Sequence, residues 1–112
     1  MRVVGIGARR GVSAQEVLAA VDAVGGPVDL VATLDRRAAE PGLRDAVALR
    51  GWALSAHAAT ELDGVATPTS SARVRAAVGT GSVAEAAALV GGGELVVPRT
   101  VHGRVTVAVV LR

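Results

Sequence analysis

The first half of the chain alternates short apolar runs with segments in which apolar residues recur at helical spacing. Apolar runs of strand length occupy residues 2–6, 29–34 and 52–55. Between them, helices are predicted over residues 13–24 and near 42–50. This βαβαβ alternation is typical of a parallel sheet covered by helices.

The predicted helices of this half have recognisable ends. Ser13 and Glu16 have the spacing of a capping box, in which each side chain accepts a hydrogen bond from the other residue's backbone amide. Gly25, followed by Gly and Pro, ends the first helix, and Gly51 ends the second. The charged stretch 35–42 is predicted to be the connection into the second helix.

The second half begins with helical segments. A short helical turn is predicted at 58–62 and a loop at 64–69, and Ser70 is a good N-cap for a following helix. The glycines around Thr80 break that helix, and Ser82 with Glu85 forms a second capping box at the start of an Ala-rich helix that runs to about Val90.

Two runs rich in β-branched residues close the chain, over 94–101 and 104–111. They are separated by His102 and Gly103, and a two-residue connection ending in Gly predicts a hairpin. Pro98 predicts a bulge or a sheet edge in the first run. Residues 1–112 are therefore predicted to form one α/β domain, a three-layer α/β/α sandwich with a mixed sheet, an N-terminal βαβαβ unit and a C-terminal antiparallel hairpin.

The composition restricts what the core can be made of. Apolar residues make up 51% of the chain, which excludes a disordered protein, and they include 23 Ala, 21 Val and 10 Leu but no Phe or Tyr. Small side chains favour close approach between the layers. Since Trp52 is the only aromatic residue, nucleic-acid binding by base stacking is excluded.

The charge is small in spite of a sequence pI near 11.0. All 12 basic residues are Arg, and nothing titrates between His and Arg, so a net charge of +2 gives a high pI. Such a charge argues against general capture of nucleic acid or membrane surfaces. Without Cys, and with His57 and His102 far apart, neither a metal nor a cofactor is predicted. No apolar stretch reaches membrane-spanning length, so a cytoplasmic location is expected.

The segment between the first strand and the first helix is the strongest candidate for ligand binding. It contains Gly7, Arg9, Arg10 and Gly11, so backbone amides, a helix start and two guanidinium groups face the same space. A tight turn with solvated arginines fits the same residues. A dinucleotide fingerprint is a further alternative, but the spacing G-x-G-x-x-x-G is looser than G-x-G-x-x-G, and further βα units are missing.

Other candidates lie further along the chain. Arg37 and Glu40 follow the second strand, and Arg99 lies on the predicted edge strand. Each also fits a solvated surface charge. Thr80, Gly81 and Ser82 form a second glycine-led helix start, for which helix capping alone is an alternative explanation. Glu85 is a weak catalytic candidate.

The order of four segments resembles a known family. The segments are GIGARRGVS, ATLDRRAAEPGL, SSARVRAAVGTGSVAEAAAL and ELVVPRTVHGRVTVAVV, and the resemblance covers residues 3–110. Together they look like the CobE / CbiG C-terminal domain family of cobalamin biosynthesis. The resemblance implies a small α/β sandwich that acts in the corrin branch of tetrapyrrole synthesis.

The family has two forms. CbiG is a multi-domain hydrolase that opens a lactone on cobalt-precorrin-5A and releases acetaldehyde, and CobE is the stand-alone form of the aerobic pathway. This chain is similar to the stand-alone form. Family members usually carry Cys at the position of Ala8 and Lys at those of Arg37 and Arg99. Arg keeps the positive charge but removes an amine nucleophile, which favours binding of an anion over covalent catalysis.

The combined hypothesis is a protein that binds a precorrin or corrinoid through its carboxylates. Arg9, Arg10, Arg37 and Arg99 would bind these groups, and amides of 7–11 and 79–82 would assist. Glu40 and Glu85 would orient the arginines or, as a second alternative, transfer protons. Alternatives are a CbiG-like hydrolase of a precorrin lactone, with Glu85 or His57 activating water, a small nucleotide-binding domain, and a non-catalytic subunit. The hairpin edge permits a homodimer or contact with other enzymes of the pathway.

Overall fold

The computed structural model describes residues 1–65 and 83–112. The strands are β1 (Arg2–Ala8), β2 (Leu30–Leu34), β3 (Leu54–His57), β4 (Glu94–His102) and β5 (Val105–Leu111). The helices are α1 (Ala14–Val24), α2 (Asp35–Ala38), α3 (Pro41–Arg50), α4 (Ala59–Asp63) and α5 (Val83–Leu89).

The five described strands form one mixed sheet in the order β3-β2-β1-β5-β4. β1, β2 and β3 are parallel, whereas β5 is antiparallel to both β1 and β4. The N-terminal βαβαβ unit and the C-terminal hairpin are therefore confirmed. β1 lies at the centre, and β5 joins the hairpin to it along seven residue pairs.

Helices cover both faces of the sheet and produce the predicted three layers. On one face, α1 and α3 pack through residues such as Val17 and Leu43 against the valines of β1, β2 and β5. On the other face, α4 and α5 contribute Leu62 and three consecutive alanines, which pack against Val3, Ala32 and neighbouring residues. Both clusters consist of small aliphatic side chains, as the composition predicts.

The small residues allow two close backbone contacts. α5 crosses β1 directly above Gly5, where a Cβ atom would lie 1.8 Å from the carbonyl oxygen of Ala84. At the start of α3, a Cβ on Gly42 would lie 2.0 Å from the carbonyl oxygen of Val12. Neither position has room for any side chain. The backbone of α5 therefore packs directly on the sheet, and the backbone of α3 packs directly on the loop that follows β1.

The predicted helix ends are confirmed where the structure describes them. Ser13 and Glu16 form both hydrogen bonds of the capping box at the start of α1. Gly25 ends α1 and Gly51 ends α3, both with a φ of 67° that disfavours other residues.

Four local predictions are wrong. The charged connection after β2 contains the helical turn α2, β1 continues to Ala8, and β3 begins at Leu54 because its pairing with β2 starts there, opposite Val31. The hairpin loop consists of Gly103 and Arg104, whereas His102 is the last residue of β4 and pairs with Val105. A positive φ of 60° at Gly103 alone is the pattern of a type II′ turn.

The expectation for Pro98 is confirmed, since β4 is an edge strand with two shifts in its pairing to β5, between Leu95 and Val97 and between Val97 and Thr100. The predicted helix start at Ser70 and the break around Thr80 lie outside the described residues.

Replacing Gly5 by Ala tests the contact between α5 and β1. The added methyl group has to displace the backbone of Ala84, so the free energy of unfolding is expected to fall by about 1–3 kcal/mol or more, measured by urea denaturation. Gly64→Ala is the control, because its Cβ meets an atom at an ordinary 3.6 Å and its φ is −78°. There we expect no loss and a gain of up to about 1 kcal/mol. Equal effects at both positions would contradict the packing argument.

Candidate functional site

The topology brings two of the predicted ligand-binding segments to the same edge of the sheet. Residues 9–13 follow β1, residues 35–40 follow β2, and these strands are parallel neighbours. The hairpin loop joins them, because Ala8 at the end of β1 pairs with Val105 at the start of β5. We call the segments 9–13 and 35–40 the carboxyl edge. In open α/β sheets, ligands bind at this edge of the strands.

Glu40 connects the two segments of the carboxyl edge. The Gly11 N–H donates a hydrogen bond to its Oε2 at 3.2 Å, and its Oε1 lies 3.8 Å from Nη1 of Arg37. The side chain of Glu40 is only 14% exposed. The close contact of Gly42 with the Val12 carbonyl oxygen holds the start of α3 next to the first segment. Glu40 therefore has the contacts expected of a carboxylate that orients Arg37 beside the first segment.

The first segment presents side chains rather than amides. Arg9 and Arg10 are exposed, and within the described part of the chain their guanidinium groups form no hydrogen bond or ion pair. Gly7, by contrast, lies inside β1 opposite Thr106. A bound dinucleotide would need the Gly11 amide as a donor to its phosphate. That amide already donates to the carboxylate of Glu40, which disfavours the dinucleotide alternative.

An interaction that sequence reasoning missed fixes the same segment from the other side. Arg104 donates from Nε to Oε2 of Glu16 at 2.8 Å and from Nη2 to Oε1 of that carboxylate. Nη2 also contacts the Gly11 carbonyl oxygen at 3.3 Å. The hydrogen bond from Arg104, together with that from the Ser13 amide, lowers the pKa of Glu16 from 4.5 to about 2. The two residues are 88 positions apart, and the antiparallel pairing of β5 with β1 brings Arg104 to the start of α1.

Arg99 and Glu85 meet through the backbone of Arg99. Glu85 is completely buried in α5, and its Oε2 accepts a hydrogen bond from the Arg99 N–H at 2.9 Å. This amide lies in the bulged part of β4, where pairing with β5 is interrupted. Glu85 thus holds the segment that carries Arg99. Thr80, Gly81 and Ser82 lie outside the described residues.

The arginines of the carboxyl edge include one that the sequence analysis did not select. Arg36 is exposed in α2, directly before Arg37, and Arg44 is exposed in the first half of α3. A run of charges in a loop gave no signal for choosing among them. Three strand spacings of about 4.8 Å separate β2 from β4, so Arg99 lies about 14 Å across the sheet from the end of β2.

His57, which has no partner visible in the sequence, has two in the structure. Its Nε2 lies 2.7 Å from Oγ of Ser55, and its Nδ1 lies 3.1 Å from Oε1 of Glu61. This cluster lies at the end of β3 and in α4, next to the carboxyl edge, because His57 pairs with Leu34 immediately before α2.

No metal site and no membrane span is present within residues 1–65 and 83–112. Within those ranges no group of three or more His, Asp or Glu side chains has the arrangement of a metal site, and no helix is long and apolar enough to cross a bilayer. A shallow depression lies between α1 and α3, lined by Ala14, Asp45, Ala48 and Leu49, and contains none of the predicted site residues.

The chain is similar to a protein family and to solved structures. The family model "Cobalamin synthesis G C-terminus" matches residues 2–110. A crystal structure of CobE, described as a protein from the cobalamin (vitamin B12) biosynthetic pathway, is 31% identical with a TM-score of 0.79 and covers 97% of this chain and 91% of its own. The cobalamin biosynthesis protein chiG from Agrobacterium tumefaciens str. C58 is 37% identical with a TM-score of 0.78, covering 99% and 98%. Comparison with curated protein sequences gave no match.

The ion pair of Glu16 and Arg104 predicts a dependence of stability on pH. Because the pKa of Glu16 is lower in the folded state than its usual 4.5, the pair stabilises the fold fully above about pH 4.5 and loses this effect as the pH falls towards 2. Thermal unfolding of the wild type and of Glu16→Gln should therefore differ at pH 7 and converge near pH 2.

Glu16→Gln is a matched variant, since Gln also completes a capping box with Ser13 and only the charge is lost. The ion pair of Asp22 with Arg50 titrates in both proteins and cancels in the comparison. A difference in stability that stays constant from pH 7 to pH 2 would contradict the assigned ion pair.

Proposed function

The chain belongs to the family of the cobalamin synthesis G C-terminus and is a cobalamin biosynthesis protein, and we propose that it binds an anionic precorrin or corrinoid intermediate. These molecules are flat macrocycles with acetate and propionate carboxylates around the rim. A protein that recognises them needs several cationic donors in a fixed arrangement. Arginine suits this task because its planar group donates two parallel hydrogen bonds to one carboxylate.

One observation supports the proposal above all others, namely the contact of Glu40 with Gly11 and Arg37. It joins the segments after β1 and β2, so Arg9, Arg10 and Arg37 are held at one edge of the sheet. At 3.8 Å, Arg37 and Glu40 form an ion pair but no hydrogen bond, and the N–H donors of Arg37 remain available to a ligand carboxylate.

The small net charge strengthens the assignment to a compact polyacid. A charge of +2 gives little general attraction to anions, so recognition depends on the local group of guanidinium side chains. The exposed Arg36 extends this group. We include Arg99 as a more distant contact, because a macrocycle with carboxylates on all sides presents anions to donors that are well separated.

Small apolar residues lie beside the carboxyl edge. Val83 is the first residue of α5 and Gly7 lies near the end of β1, and the Cβ of Val83 is 3.7 Å from the position of a Cβ on Gly7. Small side chains of this kind allow a flat apolar surface to approach the backbone. We therefore expect the ring to lie over small aliphatic groups while the carboxylates bind the arginines.

Titration with hydrogenobyrinic acid, a metal-free corrin polyacid, tests the proposal. Binding is expected to shift the tetrapyrrole absorbance and to weaken with increasing salt. Arg9→Ala, Arg10→Ala and Arg37→Ala should each weaken binding by about 1–3 kcal/mol, or roughly 5- to 150-fold in Kd, because each removes charge-assisted hydrogen bonds.

Arg112→Ala is the matched control. It makes the same change in net charge, but Arg112 follows β5 at the opposite edge, where its N–H donates to the Met1 carbonyl group. Its Kd should remain that of the wild type. A fully methyl-esterified corrin, which has lost its negative charges, should not bind. An unchanged Kd in all three edge variants would show that these arginines do not contact the ligand. Formation of a new product would show that the protein is an enzyme and would contradict simple binding.

A further inference from the structure

A histidine at the end of β3 is oriented by two side chains that the binding of carboxylates does not use. Side chains two residues apart on a strand point to the same face, so Ser55 and His57 lie side by side. Glu61 comes from α4, which follows β3 directly. Nε2 of His57 lies 2.7 Å from Oγ of Ser55, and Nδ1 lies 3.1 Å from Oε1 of Glu61.

The carboxylate of Glu61 determines which nitrogen of His57 is able to bind a metal. An ionised carboxylate only accepts hydrogen bonds, so Nδ1, which faces it, carries the proton of the neutral ring. Nε2 then has a lone pair, which accepts the hydroxyl proton of Ser55. Histidines that ligate metals almost always donate their other ring N–H in this way, often to a carboxylate. Ser55 is half-buried, so its hydroxyl group can turn towards solvent and release Nε2.

A single histidine does not hold a metal ion from solution, but it can ligate a metal that already has other ligands. Within residues 1–65 and 83–112, no group of three or more His, Asp or Glu side chains has the arrangement of a metal site. A corrin ring supplies nitrogen ligands within its plane and leaves the axial position open, and imidazole is a suitable ligand there. We propose that Nε2 of His57 is the axial ligand of the cobalt in a metallated corrinoid bound at the carboxyl edge.

His57 lies on the same face of the sheet as the small residues beside the carboxyl edge. It pairs with Leu34, which belongs to the core cluster packed against α5. Gly7 faces the same way, since a Cβ there would lie next to Val83 of α5, and the register of β1 with β2 places it beside Leu34. Two strand spacings of about 4.8 Å, or about 10 Å, separate β3 from β1. A macrocycle ligated by His57 can therefore extend over Gly7.

The same ligand would lie beside the arginines of the carboxyl edge. α2 packs against β3, so Arg36 and Arg37 lie next to His57. The side chain of His57 is 15% exposed, so the imidazole is largely shielded from water but still accessible. The proposal rests on the proposed function, because the arginines bind the carboxylates. It adds that the corrinoid carries its metal and that one protein nitrogen binds that metal.

Cobyrinic acid, the cobalt-containing counterpart of hydrogenobyrinic acid, tests the assignment in its Co(II) form. The unpaired electron of Co(II) in this ring lies along the axial direction, so an axial nitrogen splits the cobalt lines of the EPR spectrum into triplets. The wild-type protein should give these triplets and bind the cobalt form about tenfold more tightly than the metal-free form. Because both molecules have the same carboxylates, the difference in Kd reports metal ligation.

Four variants separate the ligand from its surroundings. His57→Gln should remove the triplets and raise the Kd of the cobalt form to that of the metal-free form. His102→Gln is the matched control and should keep the triplets, because His102 pairs with Val105 of the opposite face and its Nε2 is buried. Ser55→Ala should tighten binding of the cobalt form roughly 2- to 10-fold, since no hydroxyl group competes for Nε2. Glu61→Ala should lose most of the preference for cobalt, since Nδ1 loses its acceptor.

The Kd for hydrogenobyrinic acid should stay at the wild-type value in all four variants, and thermal unfolding of each variant shows that it is folded. If hydrogenobyrinic acid binds but the cobalt form gives no triplets, or if the triplets persist in His57→Gln, the axial ligand is overturned and the proposed function stands. If neither corrin binds the wild-type protein, both are overturned.

Discussion

The direct contact of α5 with β1 is the constraint on which the arrangement of this protein depends. The strand needs Gly here because a Cβ on Gly5 would lie 1.8 Å from the backbone carbonyl oxygen of Ala84, and the helix needs a small residue at Ala88, whose Cβ would lie 2.9 Å from it. The alanines that follow in α5 bury the same face. The close distance also lets the buried carboxylate of Glu85 reach the Arg99 amide, so the packing of the core determines the shape of the bulged edge strand.

Features with local causes could be predicted from the sequence. The capping box of Ser13 and Glu16 and the helix end at Gly51 depend on residues a few positions apart, and the structure confirms them. The start of β3 could not be predicted, because its pairing with β2 determines where the strand begins. The ion pair of Glu16 with Arg104 depends on the register of β1 and β5 and on the position of α1, which no local pattern records.

The residues of the candidate site also divide into those that could be predicted from the sequence and those that could not. Arg9, Arg37 and Glu40 could be selected because they follow predicted strands, and parallel strands end at one edge of a sheet. The structure adds that the carboxylate of Glu40 meets the amide of Gly11 at this edge. Ser55, His57 and Glu61 have spacings of two and four residues, a signal that was present in the sequence. These spacings alone do not show that the three side chains meet. Their contact depends on the short turn from β3 into α4, since a longer connection would point Glu61 elsewhere.

The arginines differ in whether they have a carboxylate partner. Arg104 and Arg50 each bind a carboxylate with two nitrogens and tie distant parts of the chain together. Arg9 and Arg10 have no such partner within the described residues, and Arg37 has one only at 3.8 Å. Exposed like charges that remain together without partners repel one another, and a bound polyacid removes that repulsion.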